Sequence, residues 1–259
     1  MALTYAEYLA LPELLRMQQP RSTPPEHDEL LFIVIHQVYE LWFKLMLHET
    51  DKLNRDLAAA DLFCAIATLK RIRTIMKTLV GQLDILETMT PLSFASFRAR
   101  LETASGFQSS QFREVEFVYG HKRAHLVGPG SPITETAALE ARLRAPSVPD
   151  LLNQFLATRG LRVPAELTGR DVTAATVPSP EMQEELLRSY RDQPELVILF
   201  ESLLDLDEGF QEWRYRHIKL VERTIGAKHG TGGSTGMEFL KQSLFHPLFP
   251  DLWAVRHRM

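Results

Sequence analysis

The sequence predicts an all-α protein, and three observations carry that reading. From Glu26 to Val80 there is neither glycine nor proline, the residues that most often end a helix. Between Asp61 and Glu87, and again between Glu195 and Thr224, apolar side chains recur at steps of three and four, which places them on one helix face. No convincing series of alternating apolar and polar residues appears, as a half-buried sheet would require.

The elements follow in order. The glycine- and proline-free stretch predicts a first long helix over Glu26 to Thr50. Leu62, Leu69, Ile72, Met76, Leu79, Leu83 and Leu86 form one buried stripe of a second, with Asp61 placed to cap its start. Residues from about 121 to 180 read as inserted short helices and loops, because seven of the 15 prolines fall between Pro129 and Pro180. Leu203, Leu206, Phe210, Trp213, His217, Leu220 and Thr224 line a third long helix; Pro194 suits its first turn and Gly226 its stop.

Composition narrows the function. With 29 basic and 33 acidic side chains the net charge is −4, which lacks the basic footprint of a nucleic-acid binder. A single cysteine, Cys64, excludes an internal disulfide framework and a cysteine-based zinc site. The first residues carry no basic region, and the longest apolar run, Leu30 to Ile35, falls far short of the ~20 residues that cross a bilayer. These features lead us to expect a soluble cytoplasmic protein with no membrane partner. At about 150 residues per domain, 259 residues make one large domain or two small ones; residues 1–259 are read as one.

Four places carry candidate chemistry. His217 interrupts an apolar stripe, so its imidazole needs a hydrogen-bond partner or a metal; a core histidine bonded to a carbonyl satisfies the same pattern. His36, Glu40, Lys44 and His48 are spaced by four and share a helix face, with Phe32 one turn before His36. That face is either a plain polar stripe or the mouth of a pocket. No histidine has glutamate three residues before it and no H-E-x-x-H occurs, which argues against a di-iron or zincin site; a single imidazole still suffices to anchor haem iron. Arg98 lies one turn after Phe94, pairing a guanidinium with a flat apolar group, which suits a bound carboxylate and equally a surface salt bridge. The fourth place is Gly230-Thr-Gly-Gly-Ser-Thr-Gly236, where backbone amides can approach a ligand closely. Its G-x-S-x-G match at Ser234 would need a preceding strand and a sheet, and only 23 residues follow Gly236.

Taken together, the segments resemble the tryptophan 2,3-dioxygenase family. The matching stretches are Tyr5-x-x-Tyr8-Leu-x-Leu, His27-Asp-Glu-Leu-Leu-Phe-Ile-Val-Ile-His-Gln-Val-Tyr-Glu-Leu-Trp-Phe-Lys44, Phe94-x-x-Phe-Arg98, Ser105-Gly-Phe-Gln-Ser, Trp213-Arg-Tyr-x-His217 and Ile225-Gly-x-Lys-x-Gly-Thr-Gly-Gly-Ser234. The resemblance implies a helical bundle around haem b and cleavage of the indole C2–C3 bond of L-tryptophan by O2. The product would be N-formyl-L-kynurenine, the first step of the kynurenine pathway. By the same resemblance His217 is the axial ligand of the iron, ferrous in the active state, and His36 the distal histidine near the indole N–H. Arg98 grips the substrate carboxylate, Thr231 closes over the amino-acid group, and Ser105 is a polar residue at the distal face. Phe32, Ile33, Val34, Ile35 and Phe94 belong to the substrate pocket; some members carry tyrosine in place of Phe94. Tyr5, Tyr8 and Leu9, in an arm over about residues 1–20, would reach the pocket of a neighbouring subunit in a homotetramer. A haem oxygenase that hydroxylates an indole derivative and a non-catalytic haem sensor are the alternatives.

Overall fold

A computed structural model describes residues 2–226, 228, 240, 241 and 243–259; the Gly230–Gly236 stretch, with Thr231 and Ser234, lies outside them. The described residues form helices and connecting loops, with no strand among them. In chain order the α-helices are α1 (Tyr5–Tyr8), α2 (Leu11–Leu14), α3 (His27–Ala58), α4 (Leu62–Leu86), α5 (Pro91–Arg98), α6 (Ser110–Val118), α7 (Ala137–Arg144), α8 (Val148–Thr158), α9 (Ala165–Thr168), α10 (Pro180–Asp192), α11 (Pro194–Ile225) and α12 (Pro250–Ala254).

Three long helices make the frame: α4 packs along both α3 and α11. The stripe read from the sequence of α4 is its buried face, and Asp61 caps it by accepting from the Cys64 N–H at 3.0 Å. Helix α3 runs two turns beyond the expected Thr50, because Leu53 and Leu57 continue its buried face. Lys52 and Asp56 pair one turn apart at 2.7 Å on the same extension. By length and mean hydropathy alone α3 could cross a membrane; here Tyr39, Phe43, Met46 and Leu53 enter the protein core.

Glycine inside a helix is unfavourable by about 1 kcal/mol relative to alanine, so Gly209 in α11 needs a reason. A Cβ there would stand 2.9 Å from Cγ of Met76, so its absence lets α11 and α4 approach closely. The proline-rich stretch is not set apart from the rest. Helix α8 lies on α3, and Val148, Leu152, Phe155 and Leu156 belong to the main core.

Asp207, fully buried on α11, fixes the C-terminal segment. One carboxylate oxygen accepts the N–H groups of Leu248 and Phe249 at 2.8 and 2.9 Å and the Trp253 indole N–H at 3.0 Å. Asp207→Ala leaves those three donors, and the Gln211 amide that donates to the other oxygen at 3.1 Å, without their acceptor, at ~1–3 kcal/mol for each that stays buried. The expected loss of stability is about 3 kcal/mol or more, read as a lower urea midpoint with an unchanged helical spectrum; a midpoint equal to wild type contradicts it.

Candidate active site

Between α3, α4, α5, α6 and α11 lies a cavity of about 480 Å³, within the ~300–1,000 Å³ typical of cofactor and ligand sites. Its aromatic wall comes from local packing. Thr90 caps α5 by accepting from Ser93 N–H, and Pro91 occupies the first turn, which aims Phe94 and Phe97 at α3. Phe32 meets Phe94 and Phe97 with ring centroids 5.8 and 5.5 Å apart.

His36 lies one turn after Phe32 and stacks on it at 4.1 Å. Its Nδ1 is 2.7 Å from the Phe32 carbonyl, which can only accept, so Nδ1 carries the hydrogen. Nε2 therefore holds a lone pair, ready to accept from a donor in the cavity. Burial pulls the His36 pKa below its usual value, which favours this neutral form.

His217, on α11, faces the same cavity and lies parallel to Trp213, with ring centroids 5.2 Å apart and planes 6° apart. Desolvation, helped by His36 and Arg113 nearby, lowers its pKa to about 4, so the ring is uncharged at neutral pH. No described residue forms a hydrogen bond with it. Here the two readings of a histidine on an apolar stripe separate, since the carbonyl partner of a core histidine is missing among the described residues. A neutral, unbonded imidazole facing a large aromatic-walled cavity fits a planar macrocycle held by one axial ligand. Among the described residues no three of His, Cys, Asp and Glu cluster as a polydentate metal site would need.

Arg98, the last residue of α5, and Ser105 also line the cavity. Ser105 caps a short 3-10 turn over Gly106–Gln108 by accepting from Phe107 N–H at 3.3 Å. Six expected site residues lie elsewhere. Tyr5, Tyr8 and Leu9 are exposed on α1 and its end, away from the chain's own cavity. Val34 is exposed, Ile33 half-buried and Ile35 in the core, so the run after Phe32 is corrected to a wall of two residues, Phe32 and His36. The physical reason is the helix period: at about 3.6 residues per turn only positions four apart share the face. Ile33, Val34 and Ile35 thus bring the residues placed off the cavity to six.

Sequence reasoning missed a charged wall. Arg113 pairs with Glu116 at 2.6 Å, Arg123 pairs with the same carboxylate, and Arg214 donates to the Ser243 and His246 carbonyls at 3.2 and 2.7 Å. Arg214 also donates to Nδ1 of His121, 3.1 Å away. All four charged groups line the cavity. The available signal was Arg113 and Glu116 three apart on a helix otherwise buried along its length.

Fold and site together define a class: a helical protein built around an internal cavity, with a neutral imidazole, an acceptor imidazole and a guanidinium on its walls. The profile of the tryptophan 2,3-dioxygenase family matches residues 1–138 and 182–259, leaving out 139–181. Curated relatives named tryptophan 2,3-dioxygenase include one from Herpetosiphon aurantiacus, 55% identical over 98% of both chains. Others come from Anaeromyxobacter sp. (strain K), 52% identical over 98% of this chain and 96% of its own, and Kineococcus radiotolerans, 48% identical over 98% and 90%. The chain belongs to the tryptophan 2,3-dioxygenase family.

Proposed function

We propose that this chain is a haem b-dependent oxidoreductase that opens the indole ring of L-tryptophan between C2 and C3 with O2, giving N-formyl-L-kynurenine. The observation that carries the proposal is the convergence on one cavity of a neutral His217, an acceptor Nε2 on His36 and the Arg98 guanidinium.

In this reading His217 would hold the iron. Bound haem supplies the capture and activation of O2. Arg98 receives the substrate carboxylate in a two-pronged contact. Phe32 and Phe94 flank the indole and keep water from it, and Ser105 adds a polar group to the wall. His36 Nε2 accepts the indole N–H and so fixes the ring's rotation; an indole N–H is a very weak acid, so orientation is the role assigned to His36. Holding reactants in a near-attack geometry supplies ~7–11 kcal/mol of a barrier. Thr231 covers the amino-acid group in this proposal. A homotetramer in the cytoplasm completes it, with Tyr5, Tyr8 and Leu9 serving a neighbouring subunit; the exposure of Tyr5 and Tyr8, 75% each in the single chain, supports that arm.

The test is turnover of L-tryptophan under ¹⁸O₂ by reduced, haem-loaded protein. Two labelled atoms in the product are expected. One labelled atom identifies a hydroxylase, and stable O2 binding without a product identifies a sensor. The protonation state of His36 adds a pH prediction. Its neutral form is needed and its pKa lies below the usual 6.5, so protonation is half complete only below that pH. kcat/KM at constant haem occupancy should fall on acidification with its midpoint below pH 6.5. A decline already complete at pH 6.5 would contradict the assignment.

A further inference from the structure

Beside His217 a continuous chain of ring contacts runs along the cavity wall. The Arg113 guanidinium carbon sits 4.6 Å from the Phe112 ring centroid, Phe112 lies 5.0 Å from Trp213, and Trp213 lies parallel to His217 at 5.2 Å. Phe107 flanks the other side of Arg113 at 5.2 Å. At the far end of the stack the charges do not balance. Arg113 and Arg123 share the one carboxylate of Glu116, and Arg214 is hydrogen-bonded by backbone carbonyls and His121, with Glu116 and Asp207 acting on it only through space, so three guanidiniums face two carboxylates. Arg113 and Arg214 are 7% and 5% exposed, so solvent screens this excess weakly. Nε of Arg113 and of Arg123 are buried without a partner, so neither donor is tied to a further anion.

Histidine ligands usually donate their second ring N–H to a carboxylate or carbonyl, which raises their basicity. Among the described residues His217 has no such acceptor, and the charge at the end of its chain of ring contacts is a cation. We propose that Arg113 is a positioning residue that holds the His217 ring through the Phe112–Trp213 stack and, with the positive excess of its cluster, keeps it a weakly donating ligand, favouring the reduced iron. A nearby positive charge disfavours the oxidised, more positive state more than the reduced one. The inference rests on the haem reading above.

The test is the midpoint potential of the haem-loaded protein in wild type, Arg113→Gln, Arg113→Lys and Glu116→Gln. Arg113→Gln should lower the potential, Arg113→Lys should stay near wild type, and Glu116→Gln should raise it. A purely structural role cannot make the two halves of one ion pair move the potential in opposite directions. The ferrous iron–histidine stretching band should move upward in Arg113→Gln as the ring becomes a stronger donor. Shifts of the same sign in Arg113→Gln and Glu116→Gln, or no shift in either, overturn the proposal. Should Arg113→Gln fail to retain haem, the more exposed Arg123→Gln takes its place and must lower the potential; an unchanged value is then the overturning result. Wild-type protein that takes up no haem sinks the cofactor reading and this inference with it. Wild-type protein that takes up haem while its potential ignores all these charges sinks this inference alone.

Discussion

Alanine at position 217 is expected to abolish haem retention while leaving the helices intact. The ring makes no hydrogen bond with a described residue, and its main contact is the parallel face of Trp213. Truncation thus enlarges a cavity that already exists and orphans no buried polar group. Loss of groups that merely support a metal ligand weakens binding by ~10–100-fold, so loss of the ligand itself should exceed about 100-fold. Titration of haem into the His217→Ala protein, with far-ultraviolet circular dichroism as the control, measures both halves. Free imidazole should restore a five-coordinate ferrous spectrum by entering the vacated space. Wild-type haem affinity in the variant would remove His217 as the ligand.

The second large effect concerns Arg98. A charge-assisted, two-pronged contact in a desolvated site is worth about 2–4 kcal/mol, so Arg98→Ala should lower kcat/KM for L-tryptophan by ~30- to ~900-fold. The loss should appear mostly in KM, with haem content unchanged. Tryptamine, which has no carboxylate, distinguishes binding from damage: its turnover, poor in both proteins, should be the same in both. An equal fall for tryptamine would show that Arg98 supports the cavity wall and does not hold a carboxylate.

Much of this site was legible because its parts lie on long helices with one buried face. His217 stood out as a polar residue in phase with Leu203, Leu206 and Phe210, and the cavity it faces explains why an imidazole is tolerated there. Phe32 and His36, one turn apart, kept their common face. Ile33, Val34 and Ile35, expected in the pocket from the resemblance, do not line the cavity, because a helix turns each successive side chain by about 100°. The end of α3 was misjudged for a related reason. The helix continues past the expected Thr50 because Leu53 and Leu57 carry its buried stripe on between the polar residues 51, 52 and 56. The guanidinium cluster was not legible at all. Arg113, Arg123 and Arg214 come from three separate segments, and only the packing of α6 against its neighbours reveals that the first two share one carboxylate while all three line one cavity.

The clasp formed by Arg214 carries a consequence for how this chain tolerates change. The glycine-rich stretch leaves α11 just past Ile225, and its far side is moored by Ser243 and His246 to Arg214 on that same rod. At 1.5 Å per residue the two moorings stand about 17 Å apart along the axis. Doubling the length of a flexible connection between two such fixed points adds only about 0.6 kcal/mol to closure. Insertions between Ile225 and Ser243 are therefore expected to cost the helical frame that carries His217 little, read as an unchanged urea midpoint.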